Sequence, residues 1–139
     1  MSAVPAMSDH RFPKRLRLLR ANDFERVFAA RSSAGDAWLV VYGAANGLGH
    51  PRLGLTVSRR VGGAAARNRW KRLLREAFRL RQHQLPPLDM VCIPRAGSLP
   101  KLRQLMESLP TLALRVERQL PRRSDENIEP ATGTGEPRR

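Results

Sequence analysis

Five strong cations stand within nine residues of this chain: Arg67, Arg69, Lys71, Arg72 and Arg75. Four guanidinium forks and an ammonium at that density suit the binding of a polyanion, phosphate above all. Their spacing is helical. At about 100° per residue, Trp70, Leu73, Leu74, Ala77 and Phe78 share one face. Asn68, Arg69, Lys71, Arg72, Arg75 and Arg79 fall on the other, with Arg67 at the border. Glu76 is the sole acid between Arg59 and Arg81, against nine Lys and Arg. Arg67/Lys71 and Lys71/Arg75 are like-charge pairs at i,i+4, which weaken a helix. A helix starting near Ala64 would also hold Arg67 and Arg69 close to the positive end of its dipole. An anionic partner reverses each of these small penalties.

A second set of residues suits a different kind of contact. Val40, Tyr42, Thr56 and Ser58, beside Arg59 and Arg60, would make a shallow groove next to the helix that carries Phe24 and Phe28. Aromatics, hydroxyls and cations in a groove suit an extended single strand, whose bases stack while the cations take the phosphates. Core packing competes for the two Phe residues. No catalytic constellation accompanies these features. His10, His50 and His83 are scattered, with no partners at metal-ligand spacing. No Ser or Cys nucleophile signature occurs, and Cys92 lies in the apolar run Met90-Val91-Cys92-Ile93. Gly62-Gly63 precedes the basic helix, where backbone N–H groups could take a phosphate; a tight turn is the simpler role. The expectation is a chain that holds no catalytic group, metal or cofactor of its own.

The composition agrees. The net charge is +14 and the sequence pI about 11.7. From Pro121 onward four Arg balance four acids, so residues 1–120 carry the whole excess, 22 cations against 8 acids. So basic a body collects nucleic acid or an anionic membrane surface. No apolar run approaches the roughly 18 residues of a membrane span, and the N-terminus lacks a leader pattern. A cytoplasmic protein with no membrane partner is the expectation. The apolar face of the basic helix is needed for a core, which argues against a membrane-active helix.

The elements that would position these residues can be read in order. Residues 1–10 and 121–139 read as disordered ends around one domain, 11–120. A helix is expected over 23–31, capped by Asn22, with Phe24, Val27 and Phe28 as its stripe. A turn follows at 32–36 and a strand at 38–44. A second strand at 53–58 points Leu53, Leu55 and Val57 to the core, with Gly54, Thr56 and Ser58 opposite. The basic helix spans 64–84 and stops at Pro86-Pro87. A third strand covers 89–95. A short helix at 100–107 and another from Ser108 to Leu120, with Pro110 in its first turn, complete the chain. The order helix, strand, strand, helix, strand, helix gives a small α+β sandwich with one sheet face partly open.

Taken together the residues resemble a known family. Arg67-Asn68-Arg69-x-Lys71-Arg72-x-x-Arg75-Glu76 matches the signature helix of the protein subunit of bacterial ribonuclease P. Arg52-Leu53-Gly54-Leu55-Thr56-Val57-Ser58-Arg59-Arg60-Val61-Gly62 resembles the strand and turn before it. Asn22-Asp23-Phe24-x-x-Val27-Phe28 resembles the family's first helix, and Asp89-Met90-Val91-x-Ile93-x-Arg95 its last strand. Gly63 and Ala65 depart from the family, which commonly has Asn and a branched apolar residue there. The resemblance implies a non-catalytic partner of a catalytic RNA, which with Mg²⁺ removes the 5′ leader of precursor tRNA. It implies that Arg59, Arg60, Arg67, Asn68, Arg69, Lys71, Arg72 and Arg75 bind the catalytic RNA. Phe24, Phe28, Val40, Tyr42, Thr56 and Ser58 would hold the leader. It also implies a left-handed strand–helix–strand crossover, where general chirality rules give a right-handed one. A ribosomal protein with the same kind of basic helix is the alternative. A leader-binding groove would separate the two.

Overall fold

Two runs with different apolar patterns make the centre of the sheet. Leu39–Ala45 alternates between its faces, whereas Leu88–Pro94 is apolar at nearly every position and is buried on both. In a computed structural model that describes residues 12–97 and 99–121, these runs lie side by side. The ends expected to be disordered, 1–10 and nearly all of 121–139, fall outside the described residues. The chain passes from a 3-10 turn (Lys14–Leu16) into helix α1 (Ala21–Ala29) and strands β1 (Ser32–Gly35), β2 (Leu39–Ala45) and β3 (Arg52–Leu55). Helix α2 (Ala64–Arg81), strand β4 (Leu88–Pro94) and helix α3 (Leu102–Gln119) follow. The sheet order is β1-β2-β4-β3. The β1/β2 and β2/β4 pairs are antiparallel; β3 and β4 are parallel and are joined through α2.

The expected α+β sandwich is therefore present, with a fourth strand added. Residues 32–36, expected as a turn, are mostly β1. The reversal happens earlier, because Arg31 adopts a left-handed conformation (φ 56°) immediately after α1. The hairpin turn lies later, at Asp36. Its Oδ1 accepts the N–H groups of Trp38 (2.8 Å) and Leu39 (3.1 Å), an Asx-type turn. Ser-Ser-Ala-Gly has little strand propensity, so its conformation comes from pairing with β2. Helix α1 begins two residues before its expected start. Its N-cap is Arg20, whose carbonyl accepts from Asp23 and Phe24, so Asn22 sits inside the first turn. β3 closes at Leu55; Thr56 adds one more bond, its N–H to the Cys92 carbonyl at 3.1 Å.

The two helices expected at the C-terminal end are one. Ser108 does not cap; its Oγ donates to Asp36 Oδ2 at 2.6 Å. Pro110 lies inside α3, where proline removes the N–H that would bond the carbonyl four residues back. That carbonyl is Met106 O, and it accepts Arg81 Nε of α2 at 3.2 Å. A tertiary bond thus replaces the missing helical one.

α2 and α3 cover one face of the sheet. Trp70, Leu74, Ala77 and Phe78 of α2 and Leu105, Leu109, Leu112 and Val116 of α3 pack there on Leu39, Val41, Met90 and Cys92. Fully burying each large side chain of this set is worth about 1.5–3 kcal/mol. α1 covers part of the opposite face, where Val27, Ala44, Val91 and Leu18 form a smaller cluster with Phe24, Tyr42 and Ile93.

Both edges of the sheet are guarded. Leu18 N–H bonds Leu53 O at 2.9 Å along β3. On β1, the Gln119 carboxamide accepts Ser33 N–H (3.0 Å) and donates to Ser33 O (2.7 Å), standing in for a neighbouring strand. Gln119→Ala should therefore free this edge. The Ser33 amide should exchange with deuterium faster, and the fold should lose about 1 kcal/mol. Unchanged exchange at Ser33 would show that the carboxamide is not what protects the edge.

Candidate nucleic-acid interface

The basic helix is held in place by its apolar stripe, so its cations face outward. Trp70 is 2% exposed and Leu74, Ala77 and Phe78 are fully buried. Asn68, Arg69, Arg72 and Arg75 are exposed, and Arg67 and Lys71 half-buried. The segment before α2 sets the helix start. Ser58 Oγ accepts Arg60 N–H at 3.2 Å and opens the 3-10 turn Arg59–Val61, which leaves both arginines exposed. Gly62 then takes φ 133°, and a Cβ there would stand 2.9 Å from the Ala66 Cβ. Only glycine meets both conditions without strain. No side chain caps the N-terminus of α2 and its first turn holds no acid.

The charges on this face are largely uncompensated. Among the described residues, Arg59, Arg60, Arg67, Arg69, Lys71, Arg72 and Arg75 make no ion pair. Arg67 Nε is buried and has no hydrogen-bond partner among the described residues. Arg79 alone of the row is neutralised: its Nη2 lies 2.6 Å from Glu76 Oε2. The hydrogen bond from Arg79 holds the Glu76 carboxyl below its ordinary range, against the opposing effect of burial. A depression of about 390 Å³ runs along the row, lined by Asn68, Lys71, Arg72, Arg75, Glu76, Arg79 and Phe12. Phe12 lies tilted against Phe78 (5.3 Å between centroids), with the Arg17 guanidinium 4.8 Å from its ring centre. Sequence reasoning missed Phe12. Its signal was the lone aromatic in an otherwise basic approach segment.

The second set of residues divides into two roles. Phe24 lies over Gly54, where a Cβ would come within 2.8 Å of its ring. It is half-buried and holds α1 against the sheet. Phe28 is 37% exposed and meets Tyr42 edge-on at 5.1 Å between centroids. Val40 is paired with Ile93 across β2 and β4, and Tyr42 and Ile93 both pack against the smaller cluster. Thr56 is exposed at the end of β3, and the Ser58 hydroxyl is engaged in its turn. Ile93 was the residue missed here; its apolar run reads as core in either register.

The comparisons with known proteins decide the family. A family model described as Ribonuclease P matches residues 12–117. The chain belongs to the ribonuclease P protein family. Curated relatives named ribonuclease P protein component include one from Klebsiella pneumoniae, 51% identical over 87 residues, 62% of this chain and 73% of that protein. One from Escherichia coli is 49% identical over the same shares. Among solved structures, the RNase P protein of Staphylococcus aureus matches with a TM-score of 0.62 at 29% identity, covering 74% of this chain and 95% of that one. The RNase P protein of Thermotoga maritima matches at 0.56 and 32% identity, covering 75% and 96%. Ribonuclease P is an endoribonuclease, and membership in its protein family sets aside the ribosomal alternative. Among the described residues no helix is long and apolar enough to cross a membrane.

Proposed function

We propose that this chain binds the catalytic RNA of ribonuclease P through α2 and the turn before it, and holds the 5′ leader of precursor tRNA on the open sheet face. The observation that carries the reading is the row of seven cations around α2 that have no ion-pair partner among the described residues. A helix that leaves so many like charges unpaired is completed by a phosphate backbone. Arg67, Arg69 and Arg72 act as phosphate forks, Lys71 and Arg75 as further cations and Asn68 as a neutral donor. Arg59 and Arg60 extend the surface across the 3-10 turn. Phe28, Tyr42, Val40 and Thr56 offer a path for the leader, with Phe24 fixing the helix that forms its wall. In this reading Mg²⁺ is held by the RNA and supplies the hydrolytic chemistry. The chain's own residues bind, orient and neutralise charge, in the cytoplasm.

Reconstitution tests the reading. The protein is added to a bacterial ribonuclease P RNA and precursor tRNA at low Mg²⁺. Faster release of the 5′ leader is expected; no gain would sink the proposal. The groove has its own test. Phe28→Ala should weaken binding of a leader-bearing substrate by roughly 1–3 kcal/mol if a base stacks there, with little change in melting temperature. Equal affinity for substrates with and without a leader, in both proteins, would remove the groove from the reading.

A further inference from the structure

The cleft on the cationic face ends at Arg79, and another opens just beyond it. Gln82 and His83, the next residues along the same side, line a cleft of about 300 Å³ with Arg15, Leu16, His50 and Pro51. Phe12 borders the first cleft and Arg15 the second, so one stretch of the N-terminal segment walls both. Among the described residues, the second cleft is lined by an arginine and two histidines and by no carboxylate. Arg15 is exposed and makes no ion pair among the described residues. His50 directs Nδ1 at the Pro51 carbonyl (3.2 Å), so Nε2 takes no part in that contact. Two carbonyls at or just past the end of α2, which would repel an anion, are engaged. Arg79 O accepts Gln82 Nε2 at 3.0 Å, and Gln82 O accepts Leu85 N–H at 3.4 Å.

We propose that the cleft formed by Arg15, His50 and His83 is a phosphate site, occupied by a phosphodiester of the RNA that lies along α2. The RNA track then spans the full 18-residue helix, about 27 Å, and does not stop at its signature residues. The inference rests on the reading that the cationic face binds RNA, and the test separates the two.

The experiment measures affinity of the full chain for a bacterial ribonuclease P RNA across a salt series. Arg15→Gln should lower the salt slope by about one unit or slightly less, as one lost phosphate contact does. Arg15→Lys, which keeps the charge, should restore most of it. Arg72→Ala is the reference. If Arg72→Ala lowers the slope and Arg15→Gln does not, this inference is overturned and the RNA reading stands. If neither lowers it, both fall. In a second arm, inorganic phosphate alone is titrated while the ring signals of His50 and His83 are followed by NMR. Shifts that vanish in Arg15→Gln support the site. Such shifts with an unchanged RNA slope would make the cleft a site for free phosphate and overturn its place in the RNA track. Thermal melting of each variant checks that the fold is intact.

Discussion

Asp89→Ala is expected to destabilise the protein by about 3–5 kcal/mol, the usual result of removing one partner from a buried ion pair. Asp89 is fully buried on β4. Arg52 grips it with two bonds, Nε to Oδ1 at 2.7 Å and Nη2 to Oδ2 at 2.6 Å. Asn46 Nδ2 donates at 2.9 Å, and Arg26 of α1 pairs with Oδ2. One carboxylate therefore ties α1, β3 and the β2–β3 loop to the central strand. Its loss leaves two guanidinium groups facing each other. A domain of this size has about 5–15 kcal/mol of total stability, so denaturant unfolding should show a much earlier midpoint. Acid gives an independent check. Burial pushes the Asp89 carboxyl up, but the hydrogen bonds from Arg52 and Asn46 and the charges of Arg52 and Arg26 together outweigh it and hold it below its ordinary value. A depressed carboxylate contributes stability that is fully present above about pH 3.9, its unfolded pKa. That contribution is lost as pH falls through the lower folded value. Asp89→Asn should lack this component of acid sensitivity. An Asn variant with the wild-type acid profile would assign the sensitivity to other groups.

The triple change Arg67→Ala, Arg69→Ala, Arg72→Ala should weaken RNA binding by about a thousandfold, at about 1.5 kcal/mol for each hydrogen bond to a charged group. The salt slope should fall by about two to three units. Stability should move the other way. Arg67 and Arg69 sit near the positive end of α2, where cations cost about 0.3–1 kcal/mol each, and Arg67 buries an Nε that has no partner among the described residues. Alanine removes both penalties and has the higher helix propensity. The variant should melt at the wild-type temperature or above while binding RNA poorly. A marked fall in melting temperature would mean that these arginines serve the fold. Wild-type affinity and slope would mean that the interface lies elsewhere.

The two experiments bear on features of unequal visibility in the chain. The cationic row could be read from residue types and a 3.6-residue period, because both depend on local geometry. The stripe Trp70, Leu73, Leu74, Ala77 and Phe78 packs inward as its spacing requires, and the signature around it identified the family. The Asp89 cluster could not be read that way. The partners of Asp89 lie 37 to 63 residues before it in sequence, and nothing local distinguishes Asp89 from an exposed acid at a strand start. β1 was hidden for a related reason: Ser-Ser-Ala-Gly is a strand only because β2 pairs with it and Gln119 closes its outer edge. Pro110 looked like a helix boundary because its missing bond is local, while the Arg81 donor that replaces it belongs to another helix.

The groove shows the same division within a single element. Phe24 and Phe28 are one helical turn apart and share a stripe, so spacing gave them equal standing. Gly54 draws Phe24 against the sheet, and Tyr42 leaves Phe28 at the surface. By itself the sequence determined the helix, its outward charge and the family, since periodicity and composition are properties of neighbouring residues. Only the tertiary structure decided which aromatic holds the fold and which stays accessible, and which buried charge ties the elements together. Those outcomes depend on partners that the chain brings near one another only once it has folded.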